Sequence, residues 1–410
     1  MTVQHIDFVG DRSPSNTALI VIDVQCAFTE TSLFGISSAQ SVLDNINSAV
    51  DQARELGIPI IWVRYQVRTE VGLGLTSKRY GVEDLHTGPG TELDTRLHVS
   101  PEDEIIIKPR QSAFYNTDLE YLLRMKQIKY VLIAGVTTNV CVLAAVKDAS
   151  ERDFAVTLLE DCTAALPILQ DGVEVMSAAE VQAAAVNFIR WAHGPVANHQ
   201  EVMEQIRSNV GKENYISVGG RSALVIIDLQ NTFTQPDLPL GVADADELID
   251  RTNALAAKAR KAKIPVIWIK REDRKSVGPG ITAKRYGRTG IHRENGAKFD
   301  DRLDIQPGDL TLTKRRQSSY YSSDLEIVLR GLNVSQLYLA GVTTNVCVLG
   351  TAKDASERDL EVNVITDLTF ALPVVVNGDQ TMNAQETQSA ALNFIAWAYG
   401  NLVESKDVFN

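Results

Sequence analysis

The chain repeats itself at the scale of a whole domain, and this repeat limits the folds it can adopt. Residues 134–153 read AGVTTNVCVLAAVKDASERD and residues 340–359 read AGVTTNVCVLGTAKDASERD, with starting points 206 residues apart. Further segments agree in the same order, among them GIPIIWVR with KIPVIWIK and TSKRYG with TAKRYG. A period this long exceeds that of a solenoid and matches a complete domain. We therefore expect two tandem copies of one fold.

The boundary between the copies is expected in a polar stretch. Residues 199–220 read HQEVMEQIRSNVGKENYISVGG, part of which can form a short helix. We predict domains at residues 1–205 and 215–410.

Composition narrows the range of partners and compartments. The net charge of -12 argues against nucleic acid, which needs clustered Lys and Arg. No apolar run reaches the length of a membrane span, and the polar N-terminus MTVQHIDFVGDRSPSN does not resemble a secretory signal. Four cysteines in 410 residues do not form a disulfide scaffold, and no CxxC pair or His-rich tract suggests a metal site. We expect a cytoplasmic protein without membrane contact.

Within each copy, short apolar runs alternate with helical patterns. ALIVID, IPIIWV, EIIIK, YVLIAG and AVTLLE are typical of buried strands, whereas SVLDNINSAVDQARELG has helical spacing and ends in a glycine suited to a helix C-terminus. This alternation predicts an α/β fold with a parallel sheet and helices on both faces. Ligands of such sheets bind beyond the carboxyl ends of the strands.

Three reactive side chains fall at those ends. Asp23 ends the first strand, Lys108 ends the third, and Cys141 follows the fourth at the start of a helix. A helix N-terminus and a lysine both favour a thiolate, the nucleophilic form of cysteine. An aspartate can take the thiol proton and return it to a leaving amine. Asp228, Lys314 and Cys347 repeat the set in the second copy.

Each residue also has an ordinary structural interpretation. A cysteine beside valines is usually a small core residue, an aspartate after a strand is often a cap, and a lysine is usually solvated. The catalytic interpretation gains weight because three reactive types stand at three strand ends, and do so twice. Cys26 is replaced by Asn231 and Cys162 by Leu368, so we interpret these two cysteines as structural.

The combination resembles the isochorismatase-like cysteine hydrolases across nearly all of both halves. The shared motifs are IDVQxxF on the first strand, a lysine followed by RQSAFYNTDL, and GVTTNVC. The resemblance implies two tandem three-layer αβα domains, each with a Rossmann-like parallel sheet of about six strands. It also implies an Asp-Lys-Cys triad, a covalent acyl-thioester intermediate, and no cofactor. A cis peptide is implied before Thr137 and Thr343, with an oxyanion hole formed by the N–H groups of Thr137 and Cys141, and of Thr343 and Cys347.

Within this family, the residues favour cleavage of a carbon–nitrogen bond. Metal-dependent nicotinamidases carry a DxH-type motif after the second strand, where this chain reads WVRYQVRTEVG and WIKREDRKSVG without histidine. Vinyl-ether cleavage, as in true isochorismatases, needs protonation and water rather than a thiol, yet the cysteine is present twice. We predict hydrolysis of a small amide, ureide or carbamoyl substrate. The alternatives are ether hydrolysis, a single catalytic half beside a structural one, and a binding protein with relic triads.

Substrate contacts are predicted at the positions around the triad, although a solvated loop or simple packing explains many of them equally well. The basic loop residues suit an anionic substrate group. The candidates are Gln25, Phe28, Lys78, Arg79, Tyr80, Phe114 and Gln182 in the first half, and Gln230, Phe233, Lys284, Arg285, Tyr286, Tyr320 and Gln388 in the second.

The fusion also suggests how the halves associate. Members of the family are commonly homo-oligomers, so the resemblance implies that the two halves form an intramolecular pseudo-dimer. Further homo-oligomerisation is also open. The predicted partner of each site is a small molecule, with no metal.

Overall fold

A computed structural model describes residues 12–30, 34–67, 88–210, 221–238, 240–242, 244–274, 276, 291–376 and 378–409. The chain divides into two compact units, with the division between residues 215 and 216. Each unit contains one six-stranded sheet in which every strand pairs in parallel with its neighbours. The predicted tandem α/β fold is confirmed.

The strands are numbered through the chain. In the first unit they are β1 (Thr17–Ile22), β2 (Ile60–Tyr65), β3 (Glu104–Lys108), β4 (Tyr130–Val136), β5 (Ala155–Ala164), β6 (Ile168–Gln170), β7 (Val173–Met176) and β8 (Val196–Ala197). In the second they are β9 (Arg221–Ile227), β10 (Val266–Arg271), β11 (Leu310–Lys314), β12 (Val334–Val342), β13 (Glu361–Phe370), β14 (Val374–Val376), β15 (Asp379–Met382) and β16 (Asn401–Val403). The sheet orders are β3-β2-β1-β4-β5-β8 and β11-β10-β9-β12-β13-β16, and β6–β7 and β14–β15 form separate hairpins.

Helices cover both faces of each sheet. The α-helices of the first unit are Cys26–Thr29, Ala39–Glu55, Leu119–Met125, Leu143–Ser150, Ala178–Ala192 and His199–Asn209. Those of the second are Asn231–Thr234, Ala245–Lys261, Leu325–Gly331, Leu349–Ser356 and Ala384–Ala398.

Alternation along the central strand explains the three layers. Leu19 and Val21 of β1 pack in one apolar cluster with helices 39–55 and 199–209. Ala18 and Ile20 point to the opposite face and pack with helices 119–125, 143–150 and 178–192. Both faces of the strand are therefore buried, as the continuous apolar run requires. The second unit likewise buries both faces of β9, with helix 245–261 and Val408 in one cluster and helices 325–331, 349–356 and 384–398 in the other.

One glycine in each half allows two strands to approach closely at the end that carries the reactive residues. Gly135 of β4 lies beside Ile22 of β1 and has a φ of +115°. A Cβ atom at this position would lie 2.0 Å from the backbone oxygen of Ile22. Gly341 stands in the same relation to Ile227. Glycine is required here for space and for backbone conformation.

Candidate active site

Three strand ends bring together the aspartate, lysine and cysteine of the first half. Asp23 follows β1 with a left-handed backbone, Lys108 is the last residue of β3, and Cys141 follows β4. Lys108 Nζ lies 2.7 Å from Asp23 Oδ2, and neither side chain is exposed. The ammonium also donates hydrogen bonds to the backbone oxygens of Arg110, at 3.2 Å, and Gln111, at 2.7 Å. The result is a buried ion pair whose lysine is anchored to the backbone.

The second half has the same geometry. Lys314 Nζ lies 2.8 Å from Asp228 Oδ2, with both side chains fully buried. The ammonium donates to the backbone oxygen of Gln317 at 2.6 Å. Asp228 also adopts a left-handed backbone, so its carboxylate leaves the strand in the same way as that of Asp23.

Cys141 and Cys347 each lie in a π-helical turn. This turn precedes the α-helix that the sequence predicted to hold the cysteine. Residues Thr138–Val142 form this turn, and the α-helix begins only at Leu143. In the second half the turn is Thr344–Val348. Cys141 is 9% exposed and Cys347 is 3% exposed. A wider helical turn of this kind is frequent at functional sites.

The protonation of the thiol differs from the expectation. Burial raises the pKa of Cys141 to about 12, and the positive charge of Lys108 offsets this only in part. Burial likewise raises the pKa of Cys347 to about 12. Loss of hydration therefore opposes the thiolate that the sequence analysis expected the helix N-terminus and the lysine to favour.

The carboxyl group of Asp23 interacts with both the thiol and the ammonium. Burial raises the pKa of its carboxyl group, while the charge of Lys108 and hydrogen bonds from Lys108 and Cys141 act in the opposite direction. Burial opposes the charged form of Lys108, but attraction to Asp23 and Cys141 raises its pKa overall. A carboxylate of raised basicity therefore contacts both a thiol and a fixed ammonium.

The peptide bonds Val136–Thr137 and Val342–Thr343 are cis, as the family resemblance implied. Thr137 and Thr343 are buried and stand between the strand and the cysteine turn in their respective halves. Their backbone N–H groups stay predicted oxyanion donors together with those of Cys141 and Cys347.

The two first-strand glutamines have their amides directed to the backbone. Gln25 Nε2 donates to the backbone oxygens of Tyr65 and Thr91, at 3.0 and 2.7 Å, and its Oε1 accepts from the N–H of Tyr65 at 2.8 Å. Gln230 makes the corresponding bonds to Arg271 and Gly296. Both amide donors are used, so the geometry supports a role in bracing the end of β2 or β10 rather than in contacting substrate.

The late-helix glutamines are more available. Gln182 Nε2 donates to Thr163 Oγ1 at 3.0 Å, while its Oε1 is buried without a hydrogen-bond partner. Gln388 donates to Thr369 in the same way, and its Oε1 is also unpartnered. The helices that carry them pack against the cysteine turns. Both stay candidates for substrate contact.

The predicted aromatic contacts that the structure describes pack in the apolar layers. Phe28 and Phe233 are 8% and 5% exposed. Phe114 packs in the same cluster as Cys141, with Arg152 over its ring. Tyr320 takes its place in the second half, and burial raises the pKa of its hydroxyl. Phe114 and Tyr320 thus share an apolar cluster with the thiol of their own half, whereas Phe28 and Phe233 pack in the cluster on the other face of the sheet.

Six of the predicted contacts lie outside the described residues. They are Lys78, Arg79, Tyr80, Lys284, Arg285 and Tyr286. Their proposed role in binding an anionic group stays a prediction.

The sequence did not single out the residues that flank the two lysines. Tyr65 of β2 is the direct cross-strand partner of Lys108, and Arg271 of β10 is that of Lys314. Asp273 and His292, buried beside Arg271, were also missed. The available signal was that YQV aligns with RED at the ends of equivalent strands. The residues beside the lysine therefore differ between the halves, although the aspartate, lysine and cysteine are the same.

Cys26 and Cys162 are not part of the aspartate–lysine–cysteine groups. Cys162 belongs to a separate group of side chains that could bind a metal ion. Ligand atoms of Asp161, Cys162 and His199 lie within 4.8 Å of one another, the one group of this kind among the described residues. His199 Nδ1 already contacts Asp161 Oδ2 at 2.5 Å, and its Nε2 lies 3.0 Å from Ser48 Oγ. Both ring nitrogens are thus engaged, one with β5 and the other with helix 39–55.

The comparisons with known proteins fit this architecture. The family model described as "Isochorismatase domain" matches residues 17–201 and again residues 222–407. No helix within the described ranges has the length and apolar character of a membrane span.

The relatives match about one domain of this chain. The chain is 32% identical over 175 residues to the ureidoacrylate amidohydrolase RutB of Enterobacter sp. (strain 638), covering 37% of this chain and 76% of that protein. It is 30% identical over 177 residues to RutB of Klebsiella pneumoniae subsp. pneumoniae, covering 37% and 74%. Among solved structures, a cysteine hydrolase from Pseudomonas syringae pv. phaseolicola 1448A is 30% identical and covers 48% of this chain and 95% of its own, with a TM-score of 0.46.

Two matches to one family model, which together span most of the chain, establish its membership. The two halves repeat both the fold and the arrangement of reactive residues. The chain therefore belongs to the isochorismatase family of hydrolases and carries the family's domain twice.

Proposed function

We propose that each half hydrolyses a carbon–nitrogen bond in a small amide, ureide or carbamoyl substrate through an acyl-thioester on its cysteine. The observation that carries the proposal is the buried lysine–aspartate pair beside a thiol, present in both halves with ion-pair distances of 2.7 and 2.8 Å. A charged pair removed from water is costly unless it is well paired. Two such pairs next to two cysteines are better explained by chemistry than by stability.

The first step forms the acyl-enzyme. Asp23 takes the proton of Cys141 as the sulfur attacks the substrate carbonyl carbon, so a C–S bond forms and the carbonyl electrons move to oxygen. The N–H groups of Thr137 and Cys141 stabilise that oxyanion. When the electrons return, the C–N bond breaks, and Asp23 gives its proton to the departing nitrogen. Lys108 stays protonated and keeps the carboxylate in place.

The second step returns the enzyme to its starting state. Asp23 takes a proton from water, whose oxygen attacks the thioester carbon. The C–S bond then breaks as the acid leaves, and the thiolate recovers the proton from Asp23. Asp228, Lys314, Thr343 and Cys347 perform the same steps in the second half.

The raised pKa of the thiol supports a first step in which proton transfer to Asp23 and attack on the carbonyl carbon occur together. Burial raises the pKa of both thiols, which favours a cysteine that keeps its proton until a carbonyl carbon is in position. The raised basicity of Asp23 makes the transfer easier once a carbonyl is in position. The names of the RutB relatives, which are amidohydrolases, agree with attack at an amide-type carbonyl.

Product analysis tests the proposal. A panel of amides, ureides and carbamoyl acids is incubated with wild-type protein and with the Cys141→Ala, Cys347→Ala and double variants, and ammonia and carboxylic acid are measured. We expect the double variant to lose roughly 1000-fold or more in rate. Each single variant should keep the activity of its intact half. Denaturing mass spectrometry during turnover should show an acyl adduct on either cysteine.

Cys26→Asn provides the matched control, because it removes a thiol and installs the residue that the second half carries at the equivalent position. It should leave product formation near the wild-type rate. Full activity in the double variant would overturn the thiol mechanism. Turnover of a vinyl ether by the double variant would favour the isochorismatase reaction in its place.

A further inference from the structure

The two sites share a triad but differ in the residue directly beside the lysine. Tyr65 and Lys108 are paired across neighbouring parallel strands, as are Arg271 and Lys314. Residues paired in this way project from the same face of a sheet. The side chain at this position is therefore part of the wall next to each reactive pair.

In the first half this wall is aromatic and apolar. The Tyr65 ring lies 4.8 Å from Lys108 Nζ and is 3% exposed. Two residues later, Val67 is buried at 5% exposure. Neither residue adds a charge to the Asp23–Lys108 pair.

In the second half the equivalent positions hold an arginine and an aspartate. Arg271 and Asp273 are 3% and 8% exposed, so both charges are inside the protein. Arg271 lies close enough to Cys347 for its charge to lower the pKa of that thiol, although burial still dominates. This places the guanidinium at the reactive end of the sheet.

The Arg271–Asp273 pair is incompletely satisfied. The shortest contact, between Nη2 and Oδ1, is 3.6 Å, which is an ion-pair distance but too long for a hydrogen bond. Arg271 Nε and both carboxylate oxygens of Asp273 are buried without a hydrogen-bond partner. A guanidinium and a carboxylate normally join through two short parallel bonds. Their separation leaves a donor on one side and acceptors on the other.

A neutral group with both a carbonyl and an N–H satisfies such a pair better than an ion does. The carbonyl oxygen accepts from the guanidinium, and the N–H donates to the carboxylate. An added carboxylate would be repelled by Asp273, and an added ammonium by Arg271, because the two charges already balance. Amide and ureido groups have the required donor and acceptor side by side.

We propose that the two halves act on different substrates, the second half selecting one whose far end is an amide or ureido group held between Arg271 and Asp273. The first half takes a substrate whose far end is apolar and lies against Tyr65 and Val67. This assignment rests on the proposed function, since it concerns substrates of the same thiol chemistry.

Single-cysteine variants allow the halves to be compared within the full chain. Cys141→Ala isolates the second site and Cys347→Ala isolates the first. The probes are a linear dicarboxamide, the monoamide of equal length with an alkyl end, and the half-amide with a carboxylate end. The ratio of kcat/KM for the dicarboxamide to that for the alkyl amide, corrected for two equivalent ends, measures the preference.

We expect this ratio to be roughly 100-fold higher for the second half than for the first, because an alkyl end leaves both buried groups unpaired. In the Cys141→Ala background, the double substitution Arg271→Tyr and Asp273→Val gives the second half the two residues that the first half carries at these positions. It should bring the ratio down to the first-half value. Arg274→Ala removes an exposed arginine three residues away and should leave the ratio as it is.

Equal kcat/KM ratios in the two halves would refute the inference while leaving thiol catalysis intact. So would an unchanged ratio in the Arg271→Tyr and Asp273→Val variant, provided that its circular dichroism is native. Preference for the carboxylate-ended amide would also refute it, since Arg271 would then act as an anion site. Loss of the proposed function is distinguishable, because it would appear as full activity in the double-cysteine variant or as no turnover of any probe by wild-type protein.

Discussion

The two halves have the same aspartate, lysine and cysteine but differ in the residue that lies beside the lysine on the neighbouring strand. Each places an aspartate, a buried lysine and a cysteine on the same strand ends, and each uses a glycine to bring two strands together there. Yet Tyr65 and Val67 of the first half are replaced by Arg271 and Asp273 at the equivalent positions of the second. The comparison teaches that the machinery and the adjoining wall can change independently, because they lie on different strands.

The largest expected effect tests whether the triads are equally embedded. Lys108→Met and Lys314→Met each leave a fully buried aspartate without its cation. Each should cost about 3–5 kcal/mol of unfolding free energy in its own half. Urea titration followed by hydrogen-exchange mass spectrometry reports the two halves separately.

A matched double change checks the cause. Adding Asp23→Asn to Lys108→Met, or Asp228→Asn to Lys314→Met, removes the unpaired charge and should recover part of the loss. If one lysine variant is as stable as wild type, the two buried pairs are not equivalent and the comparison between the triads breaks down.

The sequence predicted these pairs because strand ends of a parallel sheet meet at one edge, and the repeat marked the same residues twice. It did not predict which residue stands beside each lysine, since Tyr65 and Arg271 come into register only when separate strands pair. It also did not predict how strongly burial opposes the thiolate of Cys141, because burial depends on packing by distant helices. The two-residue strand β8 and the exposed hairpin β6–β7 are too short or too irregular for a periodic pattern.

A smaller expected effect is a pH dependence of unfolding free energy that arises in the second half from His292. Burial lowers the pKa of His292 to about 3, with Arg271 and Lys314 acting in the same direction. The folded second half therefore binds fewer protons than the unfolded chain below pH 6.5, the ordinary value, and loses stability as pH falls from there towards 3. Between pH 7.5 and 5.5 this loss is about 1.4 kcal/mol.

Urea unfolding of the second half at those two pH values measures it. His292→Asn should flatten the difference, whereas His98→Asn, which changes an exposed histidine, should preserve it. An unchanged pH response in the His292 variant would show that the imidazole does not titrate in this range.

The smallest expected effect concerns a feature that the halves share. Ser177 and Asn383 each accept a hydrogen bond from the N–H three residues later, at the start of helices 178–192 and 384–398. Ser177→Ala and Asn383→Ala should each lower stability by about 1 kcal/mol. Thermal unfolding monitored by circular dichroism compares them. A several-fold difference between the two would mean that the helices carrying Gln182 and Gln388 are not equally anchored.

Helix His199–Asn209 has a practical consequence for separating the halves by gene splitting. Its residues Val202, Met203 and Ile206 belong to the first half's apolar core, and Asn209 Nδ2 donates to the backbone oxygen of Arg12. An independently expressed first half that stops at residue 205, the boundary predicted from sequence, would discard Ile206 and expose the surface it covers. A stop after Asn209 keeps the core closed, so the segment between the repeats is best cut beyond this helix.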